Sequence, residues 1–234
     1  MTSGKQRTPI DDFQNSMTSA SSLIAMYKEL RQFRGLGRRG RLAPGNDDLL
    51  WLPRSAIVCA ISALDEYIHA VLRLRIPILL QSEDIPDHLC RRMSEVIQIK
   101  NGKDFRQSRE LLLASDTMSK LIAELDKQKL STESYQAPDK IELAYKMIGY
   151  EHIFSDVAGS WPGPGTTEKN VKDTLVLYVR RRNQIAHEGD REPNGSVRRI
   201  QPDYAQKVAK YISDLTRRLD QVVFRANSRN SSVD

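Results

Sequence analysis

Apolar positions along this chain recur at intervals of three and four residues and almost nowhere in strict alternation. Phe13, Met17, Ala20, Ile24, Tyr27 and Leu30 mark a first helix. Ile57, Ile61, Leu64, Ile68 and Val71 mark a second, which Pro53 opens near its first turn. Ala60, Ala63 and Ala70 stud that helix and let a neighbour approach closely, as a bundle core requires. Shorter patterns follow at Leu89, Met93, Val96 and Ile97, then from Leu111 to Leu125 with an interruption near Ser115 and Asp116, then at Ile141, Leu143, Ala144 and Met147. Val171, Leu175 and Tyr178 begin another long helix that continues through His187, with Gly189 where a C-terminal cap is wanted. Tyr204, Val208, Tyr211, Leu215, Leu219 and Val222 share one face of the last.

No alternating run of β-branched residues flanks a hairpin dipeptide, so the pattern predicts an all-α fold: a bundle of about four long helices with short helical insertions. The expected layout is a single helical domain over residues 1–226 with a disordered polar tail at 227–234. Within it, residues 35–45 read as a basic, glycine-rich loop and 81–165 as inserted short helices.

Composition narrows the class. With 39% hydrophobic and 28% charged residues the chain has the balance of a soluble globular protein rather than of a disordered or membrane one. The longest apolar stretch, Ala56 to Leu64 broken only by Ser62, is about half of what a bilayer span needs, and no charged-then-apolar leader opens the chain. A cytoplasmic protein with no membrane partner is expected. Cys59 and Cys90 have neither zinc-ligand spacing nor the density of a disulfide scaffold, so both are expected as free thiols. The net charge of +6 is confined to the last quarter, where Val171 to Arg229 holds 13 Lys or Arg against 7 Asp or Glu. Such localisation favours a polyanionic partner, the alternative being an ordinary solvated face.

One segment carries candidate chemistry. Continuing the stripe Val171, Leu175, Tyr178 lands on Arg182 and then Ile185, which puts an arginine where periodicity expects an apolar side chain. A charge there is costly unless it is paired or serves a purpose. Asn183 and His187 are four residues apart and share a neighbouring face, where both meet the same ligand. A guanidinium that keeps its proton beside an imidazole that exchanges one suits phosphodiester transesterification. His187 would move the proton and Arg182 would hold the charge that builds on phosphorus, with neither metal nor cofactor. The nucleophile is the ribose 2′-hydroxyl, which makes RNA the implied substrate.

The string RRRNQIAHEGD, with a polar residue after the arginine and a glycine soon after the histidine, resembles the R-x4-6-H signature of HEPN-domain ribonucleases in its RN-x3-H form. The helix from Arg54 to Leu72, RSAIVCAISALDEYIHAVL, is similar to the alanine-rich early helix of HEPN proteins, especially the RiboL-PSP-HEPN group. The resemblance covers the second helix and the last two and leaves Gln81 to Pro164 unmatched. It implies a helical bundle that dimerises so that two R-x4-6-H motifs face each other across a cleft. It also implies RNA cleavage in toxin, antiphage or RNA-processing roles, with an antitoxin or regulatory protein as a further partner.

Arg180, Arg181 and Arg182 all satisfy the permitted spacings to His187; Asn183 and the inward stripe favour Arg182 as the catalytic arginine. Asp65 or Glu66 is expected to support it by pairing across the bundle, and a metal held by Asp65 and His69 is set aside for want of further ligands. Arg38, Arg39, Arg41, Arg180, Arg181, Arg198 and Arg199 are the expected phosphate contacts. Trp51 and Trp161 read as packing residues rather than stacking platforms. Two other functions compete: a noncatalytic HEPN module that binds RNA, a nucleotide or a partner protein, and a helical adaptor with no nucleic-acid role; for the segment itself the alternative is an Arg and a His that cap a helix C-terminus through its dipole.

Overall fold

Thr8 starts the first helix by a reciprocal cap: its hydroxyl accepts from the Asp11 N–H, and the Asp11 carboxylate accepts from the Thr8 N–H at 3.0 Å, with Pro9 in the first turn. The computed structural model describes residues 7–37, 42, 44–97, 116–162 and 165–225. Among these are eight α-helices: α1 (Pro9–Phe33), α2 (Trp51–Leu79), α3 (Asp87–Val96), α4 (Thr117–Gln128), α5 (Pro138–Met147), α6 (Ile153–Gly159), α7 (Glu168–His187) and α8 (Pro202–Asp220). A 3₁₀ segment, Pro44–Leu50, leads into α2, another spans Leu130–Thr132, and a π turn, Gln221–Arg225, follows α8. No strand occurs among the described residues; the single bridge joins Arg191 to Val197. The all-α expectation holds, with four helices of 25, 29, 20 and 19 residues and four shorter ones.

The chain divides into two compact units, Met1–Tyr67 with Phe154–Asp234, and Ile68–Ile153. In the first, α1 runs against α8. Phe13 meets Tyr67 edge-on at 6.0 Å, and the Tyr67 hydroxyl donates to the Asp220 carboxylate at 3.2 Å. Ala56, Ile57, Ala60, Ile61 and Leu64 are sealed from solvent, as are Leu175, Val208, Ile212, Leu215 and Leu219. These are the apolar periods of α2, α7 and α8, and their burial is the main term holding the helices together. In the second unit α3 packs on α4 and α5 around Leu89, Leu125, Ile141 and Ala144, with Arg92 bridging to Glu133 at 2.6 Å. The middle unit thus runs from Ile68 to Ile153, where the sequence pattern places inserted helices at 81–165. The chain enters it part-way along α2, whose unbroken apolar period carries no mark of a boundary.

Among the described residues one stretch, Gly45–Leu79, is long and apolar enough to cross a bilayer, and 61% of its most apolar window is buried inside the protein. Cys59 and Cys90 are free thiols. Arg38, Arg39, Arg41 and the tail at 227–234 lie outside the described residues, as does Leu111.

Candidate active site

Helix α7 carries the site. Thr167 caps its start, accepting from the Asn170 N–H at 3.2 Å. Val171, Leu175, Val179 and Ile185 form its buried stripe, and Arg182 lies within that stripe, half-buried. The aromatic side chains of α7 and α8 pack next to it: Tyr178 meets Tyr204 and Tyr211 edge-on at 5.6 and 5.3 Å. The Tyr211 hydroxyl donates to the Val171 carbonyl at 2.6 Å. Burial raises the pKa of all three phenols, that of Tyr211 furthest, so each is a neutral donor over the physiological range.

Arg182, Asn183 and His187 come together. One nitrogen of the Arg182 fork, Nη1, donates to Asn183 Oδ1 at 3.1 Å and lies 3.3 Å from His187 Nε2, a hydrogen bond when that nitrogen carries no proton. Arg182 Nε is buried and makes no hydrogen bond. Asn183 and His187 are exposed, so the trio joins a guanidinium rooted in the core to an imidazole at the surface. Arg180 and Arg199 are exposed and form no ion pair among the described residues.

Two expectations are corrected here. Arg182 does not pair with Asp65 or Glu66; its partners are Asn183 and His187. The reason lies along α2. The residue that meets the end of α7 is Arg54, and Asp65 stands three turns further on, roughly 16 Å up the axis. The acid that neutralises an arginine of the motif is Asp190, which is fully buried and which the sequence pattern did not single out. Arg181, expected as a phosphate contact, is held by it. The Arg181 Nη1 donates to Asp190 Oδ1, its Nη2 to Oδ2 at 2.9 Å and to the Arg199 carbonyl at 3.3 Å.

Arg54 completes the cluster from α2. Its Nε donates to Asp190 Oδ2, its Nη1 to the Leu50 carbonyl at 2.9 Å and its Nη2 to the Arg198 carbonyl at 2.7 Å. The guanidinium lies over the Trp51 ring, 5.1 Å from its centre, so this half-exposed tryptophan packs on a buried charge rather than in the core. Trp161 stacks against Tyr211 at 5.6 Å with Arg218 over its ring at 4.3 Å. Arg198 is itself committed, to Glu192 at 3.0 Å and Glu188 at 3.1 Å. An open groove of about 500 Å³ beside this cluster is lined by Gln184, Glu192, Ser196 and Arg199 among others.

Arg54 did leave a trace in the sequence. It sits at helical spacing from Ile57, Ile61 and Leu64, a charge on an apolar stripe, the same signature that Arg182 carries on α7. Asp190 left none, being one acid among charges after a glycine. No known family profile, curated protein or solved structure matches the chain.

Proposed function

We propose that this chain is a metal-independent endoribonuclease of the HEPN type, acting in the cytoplasm as a homodimer in a toxin or antiphage defence role. The observation that carries the reading is the 3.3 Å approach of Arg182 Nη1 to His187 Nε2, with Asn183 on the same guanidinium. In the reaction His187 takes the proton of a ribose 2′-hydroxyl, and that oxygen attacks the adjacent phosphorus. Arg182 stabilises the doubly charged phosphorane. The bond from phosphorus to the 5′-oxygen breaks, and this oxygen takes up a proton from the second histidine of the dimer. The products are a 2′,3′-cyclic phosphate and a 5′-hydroxyl end.

The solvent side of α7 supports the dimer. Val176 and Leu177, 51% and 56% exposed, lie on the exposed face that also carries Arg180, Asn183 and His187. Two copies meeting there bury those side chains and bring both histidines to one cleft, with Arg180 and Arg199 available to the RNA backbone.

The deciding test is cleavage of a structured RNA in EDTA. Wild-type protein cuts and leaves cyclic phosphate ends, while Arg182→Ala and His187→Ala each lose on the order of 10² to 10³ in rate with the fold intact. Undiminished cleavage by both folded variants refutes the assignment. RNA bound with steep salt dependence but never cut replaces it with a noncatalytic RNA-binding module.

A further inference from the structure

We propose that Asp190, clamped between Arg54 and Arg181, is a positioning residue that fixes His187 against Arg182; this rests on the nuclease reading of that pair. His187 is the last residue of α7, and its ring is exposed and has Arg182 as its one polar partner among the described residues. Helix ends fray, so the direction of the ring depends on how the backbone that follows it is held.

That backbone is tied at several points. Gly189 and Asp190 both adopt left-handed conformations, with φ of 60° and 54°, and turn the chain back on the helix. The Asp190 N–H then donates to the Gln184 carbonyl at 2.9 Å, one turn below His187, and the Asp190 carbonyl accepts from the Arg198 N–H at 2.7 Å. Its carboxylate receives both guanidiniums, one reaching up from α2 and one from α7 itself. Asp190 is fully buried and Arg54 2% exposed, so the clamp works where solvent does not screen it. Loosening it lets the last turn of α7 unwind and swings the imidazole off the guanidinium. A misplacement of about 1 Å costs roughly 10²-fold in a reaction that depends on alignment.

Two variants of the full chain test the idea: Asp190→Asn, which removes the charge, and Arg54→Lys, which keeps a charge but loses the fork. Each is compared with wild type by RNA cleavage and by NMR, at a temperature where circular dichroism shows native helix. Arg54→Lys serves if Asp190→Asn fails to fold. The expected result is a fall in kcat of roughly 10- to 100-fold with KM within about threefold, smaller for Arg54→Lys than for Asp190→Asn. Adding either change to His187→Ala produces no further loss. The nuclear Overhauser contact between the His187 ring and the Arg182 side chain disappears, and the Asp190 amide exchanges at least tenfold faster, while core amides of α7 such as that of Leu175 stay protected. Unchanged kcat in folded variants overturns the proposal, and so does an unchanged ring contact with an unchanged amide. Should wild type cut no RNA, the nuclease reading fails, and the NMR arm still decides whether Asp190 orients His187.

Discussion

Replacing Asp190 by asparagine isolates one electrostatic quantity. Asparagine has nearly the same shape and tolerates the left-handed conformation at φ 54°, so neither packing nor backbone strain changes much. What changes is the charge. Arg54, 2% exposed, and Arg181, whose side chain is 13% exposed, lose the carboxylate they share and remain as two desolvated cations. Removing one partner of a buried ion pair costs about 3–5 kcal/mol, because the surviving charge stays out of water without compensation. The Leu50, Arg198 and Arg199 carbonyls still accept from the two forks, which keeps the loss within that range rather than above it. For a chain of this length each kcal/mol lowers Tm by about 2–4 °C, so a drop of roughly 6–20 °C is expected in a thermal scan, with a matching fall in the urea midpoint at constant slope. Arg54→Met leaves Asp190 paired one-to-one with Arg181 and costs less. The double variant destabilises by clearly less than the sum, with a coupling of about 1–3 kcal/mol. A loss below about 1 kcal/mol for Asp190→Asn, or strict additivity, would falsify the account of a charge-compensated buried cluster.

Gly189→Ala meets no atom within 4 Å of the new Cβ, so its cost is backbone strain at φ 60°, about 1–2 kcal/mol by urea denaturation; a neutral result shows that the turn relaxes. Stability also falls in alkali. Burial raises the Tyr211 phenol above its ordinary value, so the unfolded chain gives up its proton first, and stability that is intact below about pH 10 declines above it by up to about 1.4 kcal/mol per pH unit from this residue. Tyr211→Phe flattens that alkaline slope in urea melts, and a slope unaltered by the change argues against a buried phenol. On the proposed reading of a homodimeric nuclease, Leu177→Glu, at a residue 56% exposed, converts dimer to monomer in light scattering and abolishes RNA cleavage while the helical fold persists; a variant that stays dimeric and active removes this face from the interface.

Helical periodicity made the fold class legible because each long helix buries a stripe that repeats in register. Phe13, Ala20 and Tyr27 are buried on α1, and Val208, Leu215 and Leu219 on α8, along the rows the sequence marks. The same rule located Arg182, since a charge on a buried stripe stands out against its neighbours. It failed for the supporting acid. Asp65 and Glu66 are the acids expected to pair with Arg182 across the bundle, yet the carboxylate that meets an arginine of the motif is Asp190, 136 residues from its other partner Arg54, in a turn whose pattern holds no period to read. The turn exists because Gly189 and Asp190 take left-handed backbone together; glycine announces that possibility and aspartate does not. The boundary of the middle unit escaped for a related reason: α2 continues through it without a break in composition.

The long separation between Arg54 and Asp190 has a consequence during synthesis. A ribosome adds about 5–20 residues each second, so the 136 residues added after Arg54 to reach Asp190 take roughly 7–27 s to make. Arg182 and His187 arrive only just ahead of Asp190. A growing polypeptide therefore completes the buried cluster of Arg54, Asp190 and Arg181 only in its final stretch.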